Sequence, residues 1–357
     1  QYCFRKKREF TAGTEGENMN IESVKDYLGS DWTAVQELMT GVLQSDIALL
    51  NTTNGAIMAH GGKQLRPMLS LLVSRACLRS ADTYVPGQKL SPLPEVSKRY
   101  AAASELLHNA TLLHDDVADG SDMRRGNPTV RSLLGPSASV LVGDFWLVRA
   151  IRLILGDSDS GCDPRVVRIF SRTLSCLAEG EMLQLQKAQT ADTDYEDYLR
   201  IIYSKTASLF EAAAVTAAIS VNASGVCREA VRDYAVSLGY AFQIKDDILD
   251  YCGTDSVGKP LGVDVLEQKI TLPLLGAIAS APEHEAEVRG WVRDVPECPE
   301  NRERIVSFVA ENHGVDFAEK KLECFVGKSV EAISLLAPSK EREMLAGLAR
   351  FTAMRNK

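Results

Sequence analysis

Two short clusters of aspartates stand out in this chain, because each lies within an otherwise apolar, helix-like stretch. One occurs in LLHDDVADG and the other in FQIKDDILDYCG, with the same spacing of the three carboxylates. The aspartates are Asp115, Asp116 and Asp119, and Asp246, Asp247 and Asp250. On a helix, the first and last aspartate of each cluster lie on one face, one turn apart. Charges this close repel one another, so the pattern indicates two facing acidic helices that share divalent cations.

Mg²⁺ or a similar ion is favoured, because hard oxygen ligands select such cations and water and substrate phosphate usually complete their coordination. The alternative is a pair of solvated acidic faces that bind nothing. Such faces are usually flanked by Lys and Glu, whereas these clusters are flanked by Leu, Ile, Phe and Val. The sequence therefore favours a metal site.

Basic residues lie at the breaks between predicted helices, where an anion could bind. In HGGKQLRP, two glycines precede Lys63 and Arg66, and their exposed N–H groups at a predicted helix start suit a phosphate. Arg124 and Arg125 follow the first cluster in a loop, where adjacent arginines point to opposite sides and could contact different anions. Either segment alone is also consistent with solvated bases.

Three further polar positions accompany the clusters. Lys205 and Thr206 lie within IIYSKTASLFEAA, an apolar helical run in which a lysine is out of place. Gln243 is three residues before Asp246 on the same predicted helix face, so its amide should face the same cavity. Lys259 and Lys269 bracket the glycine-containing segment after the second cluster. A lysine beside glycine usually faces solvent, but its position directly after a metal motif favours a phosphate contact.

The elements that position these residues are predicted to be helices. Nearly every segment from about residue 20 shows helical periodicity, and 97–119 is free of Gly and Pro. The predicted windows are 31–59, 63–79, 97–119, 137–155, 164–189, 194–221, 226–251, 267–280, 302–312, 316–336 and 340–354. No linker is long or polar enough to separate two domains, so we expect an all-α fold, one large helical bundle over 19–357.

Composition limits the partners and the compartment. A net charge of −8 argues against nucleic acid and gives no general attraction to acidic membranes. Eight cysteines without a CxxC pair are typical of free thiols in a reducing cytoplasm. No apolar run approaches the ~20 residues that span a bilayer. Residues 1–18 lack the apolar core of a secretory signal, and we expect a disordered tail or an artefact upstream of a natural start at Met19.

Together these segments resemble the trans-prenyltransferases, the polyprenyl (isoprenyl) diphosphate synthases, and in particular their long-chain octaprenyl and solanesyl types. The resemblance covers nearly the whole chain from about residue 20. It rests on GGKQLRP, DDVADGSDMRRG, YSKTAS, FQIKDDILD and the GK…K segment, in the family's order. Gln64 departs from the pattern, since a base is common there, and this puts one peripheral phosphate contact in doubt.

The resemblance implies an isoprenoid synthase fold, a bundle around a central cavity with the two aspartate motifs facing each other near its mouth. The implied reaction is head-to-tail condensation of an allylic diphosphate, farnesyl or geranylgeranyl diphosphate, with successive isopentenyl diphosphate units. Three Mg²⁺ ions are implied, two on Asp115 and Asp119 and one on Asp246 and Asp250. The implied allylic diphosphate contacts are Arg124, Lys205, Lys259 and Lys269. The implied isopentenyl diphosphate contacts are Lys63, Arg66, His108 and Arg125. Thr206 and Gln243 would lie near the developing allylic cation.

The chemistry follows from charge. The ions and cationic side chains neutralise the departing diphosphate, while apolar helical walls keep the allylic cation from water. The isopentenyl double bond then attacks, and a proton is lost. No His or Glu in this sequence is an evident general base, and the family uses the departing diphosphate.

The helix before the first cluster predicts a long product. Ala110 and Thr111 lie along the cavity wall below Asp115, where short-chain members of the family carry bulky aromatics. Small side chains let the tail grow further, so we expect an octaprenyl-to-decaprenyl product for a quinone side chain. Trp146, on a neighbouring helix, is a candidate floor of the cavity, although an ordinary core position is at least as good an interpretation.

Different functions remain open on the sequence. A short- or medium-chain (C15–C20) synthase would share every motif. A class I terpene cyclase would lack the isopentenyl diphosphate site and the second complete cluster. A regulatory subunit of a two-component synthase would have lost aspartates in one cluster, whereas both are complete. A homodimer is expected from the resemblance alone.

Overall fold

The computed structural model describes residues 20–81, 83–85, 87–88, 90–124, 126–156, 162–252 and 262–355. These residues form α1 (Ile21–Leu28), α2 (Ser30–Val42), α3 (Ala48–Ala59), α4 (Leu65–Arg79), α5 (Glu95–Ala118), α6 (Val130–Leu134), α7 (Pro136–Leu155), α8 (Pro164–Thr190), α9 (Tyr195–Ile202), α10 (Ser208–Ser220), α11 (Gly225–Cys252), α12 (Val263–Leu266), α13 (Leu272–Ser280), α14 (Glu285–Arg293), α15 (Asn301–Glu311), α16 (Gly314–Ile333) and α17 (Lys340–Met354). A π-helical turn, Tyr203–Ala207, joins α9 to α10, and a 3₁₀ turn, Pro282–His284, precedes α14.

The prediction of an all-α fold is confirmed. Within the described ranges, the only strands are β1 (Met123–Arg124) and β2 (Asn127–Pro128), an antiparallel pair in the loop after the first aspartate cluster. The predicted window 340–354 matches α17 at both ends. The windows 137–155, 164–189 and 226–251 match α7, α8 and α11 to within one residue at each end.

Three predicted windows were wrong in detail, and α1, α6, α12 and α14 were not predicted. The window 267–280 begins five residues before α13. The window 31–59 divides into α2 and α3, because the Asn51 side chain binds the backbone N–H and C=O of Ser45 and stabilises a turn in place of a helix. The window 194–221 contains the π-helical turn, which hydrophobic periodicity does not reveal.

The centre of the bundle is α10, which packs against α4, α5, α8 and α11. Its buried alanines leave little side chain between neighbouring helices and allow close approach; they are Ala212, Ala213, Ala214, Ala217 and Ala218. The buried hydroxyl of Thr216 donates to the Ala212 carbonyl at 2.7 Å, which satisfies a polar group in this apolar environment. The alanine-rich helix thereby holds the cluster-bearing helices against one another.

Both aspartate clusters lie at the same end of the bundle. Ser97 at the start of α5 contacts Ser220 at the end of α10, with 2.6 Å between the hydroxyl oxygens, so these helices are antiparallel. A short connection after α10 leads into α11, which runs back antiparallel to α10. Since both clusters occupy the carboxyl-terminal turns of α5 and α11, the fold brings them to one end.

Among the described residues, no helix combines the length and apolar character that a bilayer span requires. The cysteines in this part of the chain are all free thiols.

Candidate active site

A cavity of about 120 Å³ lies where α8, α9, the π-helical turn, α11 and the segment after α12 meet. Three of its polar lining residues were predicted from the sequence, namely Lys205, Gln243 and Lys269. Asp247 of the second cluster and Asp264 line it as well. The structure therefore gathers residues from three separate motifs around one polar space.

The first cluster contains one carboxylate that is paired and two that face other charges. Asp116 is buried and accepts a hydrogen bond from Arg124 Nε at 2.8 Å. Asp119 is exposed. Burial and the negative charge of Glu181 raise the pKa of Asp115 to about 7, against the opposing effect of Lys205. Negative charge is thus only partly compensated here, and a divalent cation would fit this set of oxygen ligands.

The second cluster is held by partners on all three carboxylates. Asp247 is 1% exposed and accepts hydrogen bonds from the Tyr198 hydroxyl at 2.7 Å and from Gln243 Nε2 at 3.1 Å. Burial outweighs these donors and raises the pKa of Asp247 to about 6. Asp250 accepts the backbone N–H groups of residues 263 and 264 at 3.0 and 3.2 Å. Asp246 forms an ion pair with Arg355, with 2.8 Å between Oδ1 and Nη2.

Lys269 is the charge that connects the two clusters. Burial acts to lower the pKa of Lys269, but the negative charges of Glu267, Asp264 and Asp119 outweigh it and raise that pKa. Asp119 belongs to the first cluster, whereas Asp264 follows the second and donates its backbone N–H to Asp250. Burial and the charges of Asp247 and Asp250 raise the pKa of Asp264 to about 8. Lys269 therefore lies within the electrostatic reach of both the first cluster and Asp264, which binds the second.

The π-helical turn presents Lys205 and Thr206 to neighbouring helices on opposite sides. Lys205 Nζ lies 2.6 Å from Glu181 Oε1 and donates to Gln184 Oε1 at 3.0 Å, both on α8. Thr206 Oγ1 donates to Gln243 Oε1 at 2.9 Å on α11. Because Gln243 in turn donates to Asp247, one line of hydrogen bonds runs from the π-helical turn to the second cluster.

The predicted isopentenyl diphosphate residues lie beside an aromatic pair. The rings of Phe210 and Phe242 are 5.7 Å apart. The guanidinium of Arg66 lies 4.6 Å from the centroid of Phe210, and that of Arg355 lies 4.0 Å from the centroid of Phe242. Lys63 Nζ lies 5.1 Å from the ring of Phe351 on α17. The GGKQLRP segment is therefore joined to the second cluster through stacked cations and rings.

Two predicted contacts, Arg125 and Lys259, lie outside the described residues. His108 is half-buried on α5, and its carbonyl accepts the Thr111 hydroxyl at 2.8 Å. Ala110 is buried. Trp146 is fully buried, and its indole N–H donates to Asn54 Oδ1 at 2.8 Å. The structure is consistent with Trp146 as a core residue, and its role as a cavity floor stays a prediction.

Sequence reasoning missed Tyr198, Asp264 and Arg355, and it assigned no site role to Glu181 and Gln184. Glu181 and Gln184 could have been assigned from the unusual lysine in an apolar helix, since a lysine of that kind needs acceptors nearby. Arg355 and Tyr198 gave no such signal, because nothing in their local sequence points to an aspartate far along the chain.

Metal binding depends on the donor set. Among the described residues, no three His, Cys, Asp or Glu side chains already form a metal-binding group. Burial and then the Glu181 charge raise the pKa of Asp115 to about 7, and a bound cation would oppose both effects. A cation that takes its remaining ligands from water and substrate phosphate fits these residues.

Comparison with known proteins identifies the family. The family model for polyprenyl synthetase matches residues 47–309. Octaprenyl diphosphate synthase of Escherichia coli (strain K12) is 34% identical over 343 residues, which covers 95% of this chain and 100% of that protein. A polyprenyl synthase from Caulobacter crescentus, solved with calcium and isoprenyl diphosphate, has a TM-score of 0.83 at 33% identity, covering 96% of this chain and 100% of that one.

A decaprenyl diphosphate synthase from Rhodobacter capsulatus superposes with a TM-score of 0.82 at 34% identity, covering 95% of this chain and 100% of that one. The match therefore extends over whole proteins with the same helical architecture and not over an isolated motif. Since these matches coincide with two complete aspartate clusters at one end of the bundle, the chain belongs to the polyprenyl synthetase family and is a prenyltransferase of isoprenoid biosynthesis.

Proposed function

We propose that this enzyme condenses farnesyl or geranylgeranyl diphosphate with successive isopentenyl diphosphate units, in a Mg²⁺-dependent reaction, to give a long-chain all-trans polyprenyl diphosphate. The observation that carries the proposal is the convergence of Lys205, Gln243, Asp247 and Lys269 on one cavity. Relatives that make octaprenyl and decaprenyl products support a long chain. A product destined for a quinone side chain and a cytoplasmic location stay predictions.

The described residues have separable tasks in this reaction. Lys205, Lys269 and Arg124 would hold the allylic diphosphate and stabilise the charge that develops as it departs. Lys63 and Arg66 would hold isopentenyl diphosphate. Mg²⁺, with three ions expected, would be held by Asp115, Asp119, Asp246 and Asp250 and supplies Lewis-acid neutralisation of the diphosphate.

Thr206 and Gln243 lie between these charges and can direct amide and hydroxyl oxygens toward a carbocation. Thr206 Oγ1 donates to Gln243 Oε1, and Gln243 Nε2 donates to Asp247, which fixes the amide orientation. An oriented dipole stabilises positive charge without competing for it as a nucleophile. No described His or Glu is positioned here as an evident base, so the proton is best accepted by the departing diphosphate.

Product analysis tests the proposed chain length. Purified protein incubated with farnesyl diphosphate, labelled isopentenyl diphosphate and Mg²⁺ should yield octaprenyl to decaprenyl products, as the names of the similar synthases suggest. Ala110→Phe and Thr111→Phe should shorten them, because each ring would close the wall below Asp115. Leu133→Phe, at a side chain that is 68% exposed, is the matched control. A wild-type product of C15 or C20 would establish a short- or medium-chain synthase instead.

The same incubation tests for a terpene cyclase and for a regulatory subunit. A terpene cyclase would consume the allylic diphosphate without isopentenyl diphosphate, and a regulatory subunit would be inactive alone. Turnover that requires both substrates in the absence of any second protein excludes both functions.

The exposed face of α7 supports a homodimer. Leu141, Val148 and Leu155 recur every seven residues and are 68%, 54% and 46% exposed. An apolar stripe of this kind is typical of an interface, and a second copy placed by a two-fold axis presents the same stripe. Light scattering should give twice the chain mass, and Leu141→Asp with Val148→Asp should give monomers. Leu335→Asp, at an exposed leucine outside the stripe, should leave the dimer intact.

A further inference from the structure

The π-helical turn at Tyr203–Ala207 is the local feature that aims Lys205 and Thr206 in different directions. The Ser208 N–H bonds to the Tyr203 carbonyl, five residues back, in place of the four of an α-helix. The Ser208 hydroxyl donates to the Ser204 carbonyl at 2.8 Å and satisfies it further. One extra residue is thus accommodated, and the turn is wider than the α-helices on either side.

A wider turn needs room, and on the α8 side that room is at Gly180. A Cβ atom on Gly180 would lie 2.5 Å from Ser204 Cβ, closer than real Cβ contacts allow. Its next neighbours would be Lys205 Cγ at 3.3 Å and the Lys205 nitrogen at 3.4 Å. Gly180 directly precedes Glu181, the carboxylate that pairs with Lys205.

The room on the α11 side is at Gly239. A Cβ atom there would collide with Ala207 Cα and would lie 2.6 Å from Ala207 Cβ. Because one of these atoms is backbone, no side-chain rotation could relieve the contact. Gly239 lies one turn before Gln243, the residue that accepts the Thr206 hydroxyl.

From these contacts we infer that Gly180 and Gly239 are positioning residues for the reaction, because their missing side chains let the π-helical turn sit between α8 and α11 with Lys205 and Thr206 in reach of the cavity. Both glycines are buried. Gly180 adjoins Glu181, which pairs with Lys205, and Gly239 lies one turn before Gln243, which accepts the Thr206 hydroxyl. The inference rests on the proposed roles of Lys205 and Thr206 in allylic diphosphate binding and ionisation.

Gly239→Ala should shift the turn and lower kcat/KM for the allylic diphosphate about a hundredfold, since a displacement of ~1 Å of a positioning group can cost that much. The KM for isopentenyl diphosphate should change much less, because Lys63 and Arg66 lie at the start of α4 and Arg66 reaches the turn indirectly, through Phe210 on α10. A loss confined to the allylic substrate is a result that general destabilisation would not produce. Gly327→Ala is the matched control, because nothing lies within 4 Å of the added Cβ on α16.

Gly180→Ala provides a second variant with a designed rescue. Ser204→Gly removes the atom that the new Cβ would meet at 2.5 Å and leaves the nearest contact at 3.3 Å. The double variant Gly180→Ala with Ser204→Gly should therefore recover most of the activity that Gly180→Ala loses, relative to Ser204→Gly alone. Gly180→Ala and its rescue by Ser204→Gly test the inference even if Gly239→Ala does not fold.

Folded glycine variants with normal allylic kcat and KM would overturn the inference, as would a Gly180→Ala defect that Ser204→Gly does not relieve. Lys205→Met and Thr206→Val distinguish this failure from failure of the proposed function. If those two variants are impaired but the glycine variants are not, the positioning role is wrong. If Lys205→Met and Thr206→Val are themselves fully active, the proposed site assignment is wrong.

Discussion

The two aspartate clusters share a spacing but differ in how the protein supports them. In the first, Arg124 pairs with Asp116, while Asp119 is exposed and the pKa of Asp115 is raised to about 7 by burial and the Glu181 charge. In the second, all three carboxylates have protein partners, including a tyrosine, backbone N–H groups and an arginine. The carboxylates of the first cluster lack balancing positive charge, whereas those of the second are already oriented by their protein partners.

This difference teaches that equal motifs need not perform equal tasks. A carboxylate cluster that lacks balancing positive charge gains most from the arrival of cations. The carboxylates of the second cluster lose little conformational entropy when a ligand binds, because their partners already fix their rotamers. We therefore expect the first cluster to respond mainly to charge and the second to respond to the loss of supporting side chains.

The largest expected effect comes from removing one carboxylate from each cluster. Asp115→Ala and Asp246→Ala should each lower turnover by at least about a thousandfold, as expected for loss of a group that stabilises transition-state charge. The two substitutions should change Tm in opposite directions. Without Mg²⁺, Asp115→Ala relieves a buried like-charge contact and should raise Tm, whereas Asp246→Ala removes the partner of buried Arg355 and should lower it.

The control for this pair is Asp233→Ala on α11, at a surface aspartate that is 60% exposed. It should be active and of normal stability. Near-normal turnover in either cluster variant, measured with purified protein and Mg²⁺, would contradict the metal assignment.

The second-largest effect is expected from Arg355, which forms an ion pair with Asp246 of the second cluster. Arg355→Met keeps an apolar chain against Phe242 but removes the 2.8 Å contact with Asp246 and the 2.7 Å hydrogen bond to the Phe242 carbonyl. Turnover should fall about tenfold and the Mg²⁺ concentration for half-maximal rate should rise, since loss of a supporting side chain typically costs about 10–100-fold. Arg350→Met, on the exposed side of α17, should change neither quantity.

A smaller effect is expected from Tyr198→Phe. The ring stays, but buried Asp247 loses the donor at 2.7 Å, so its pKa should rise above about 6. Stability at neutral pH should fall by about 1–2 kcal/mol, the cost of one unsatisfied buried acceptor. Denaturant unfolding measures this change. Tyr195→Phe on the same helix is the matched control, and an equal loss there would show that the hydroxyl bond to Asp247 is not the cause.

The smallest effect concerns pH and the first cluster. The folded pKa of Asp115, about 7, exceeds the ordinary aspartate value of 3.8, so the folded state binds a proton more tightly than the unfolded chain does. Stability in EDTA should therefore decrease as pH rises from about 4 to 7, in contrast to the usual behaviour of a paired aspartate. The slope of Tm against pH should be shallower in Asp115→Asn and with Mg²⁺ present. An unchanged slope in Asp115→Asn would place the protonation elsewhere.

Much of the fold followed from local patterns. Apolar periodicity located α7, α8, α11 and α17, because the same apolar residues that repeat at helical spacing also make the buried face. The break after α2 depended on one Asn51 side chain that competes for backbone groups, and no periodicity reports such a bond.

The site was predictable where charge is out of place in an apolar helix, as at Asp115, Lys205 and Asp246. It was not predictable where the partner is distant in sequence. Arg355 meets Asp246 only because α17 packs against α11, and Tyr198 reaches Asp247 only because α9 does. Tertiary packing sets such pairs, and a single sequence carries no trace of which surfaces will meet.

The π-helical turn also makes this segment of the protein intolerant of deletions. Loops usually tolerate deletions, yet removing one residue from Tyr203–Ala207 would restore a regular α-helix and turn all of α10 by about 100° relative to α9. Buried Phe210 and the alanine face would then rotate out of the centre of the bundle together. The packing of α10 thus depends on the extra residue in this turn, and we expect single-residue deletions within Tyr203–Ala207 to prevent folding.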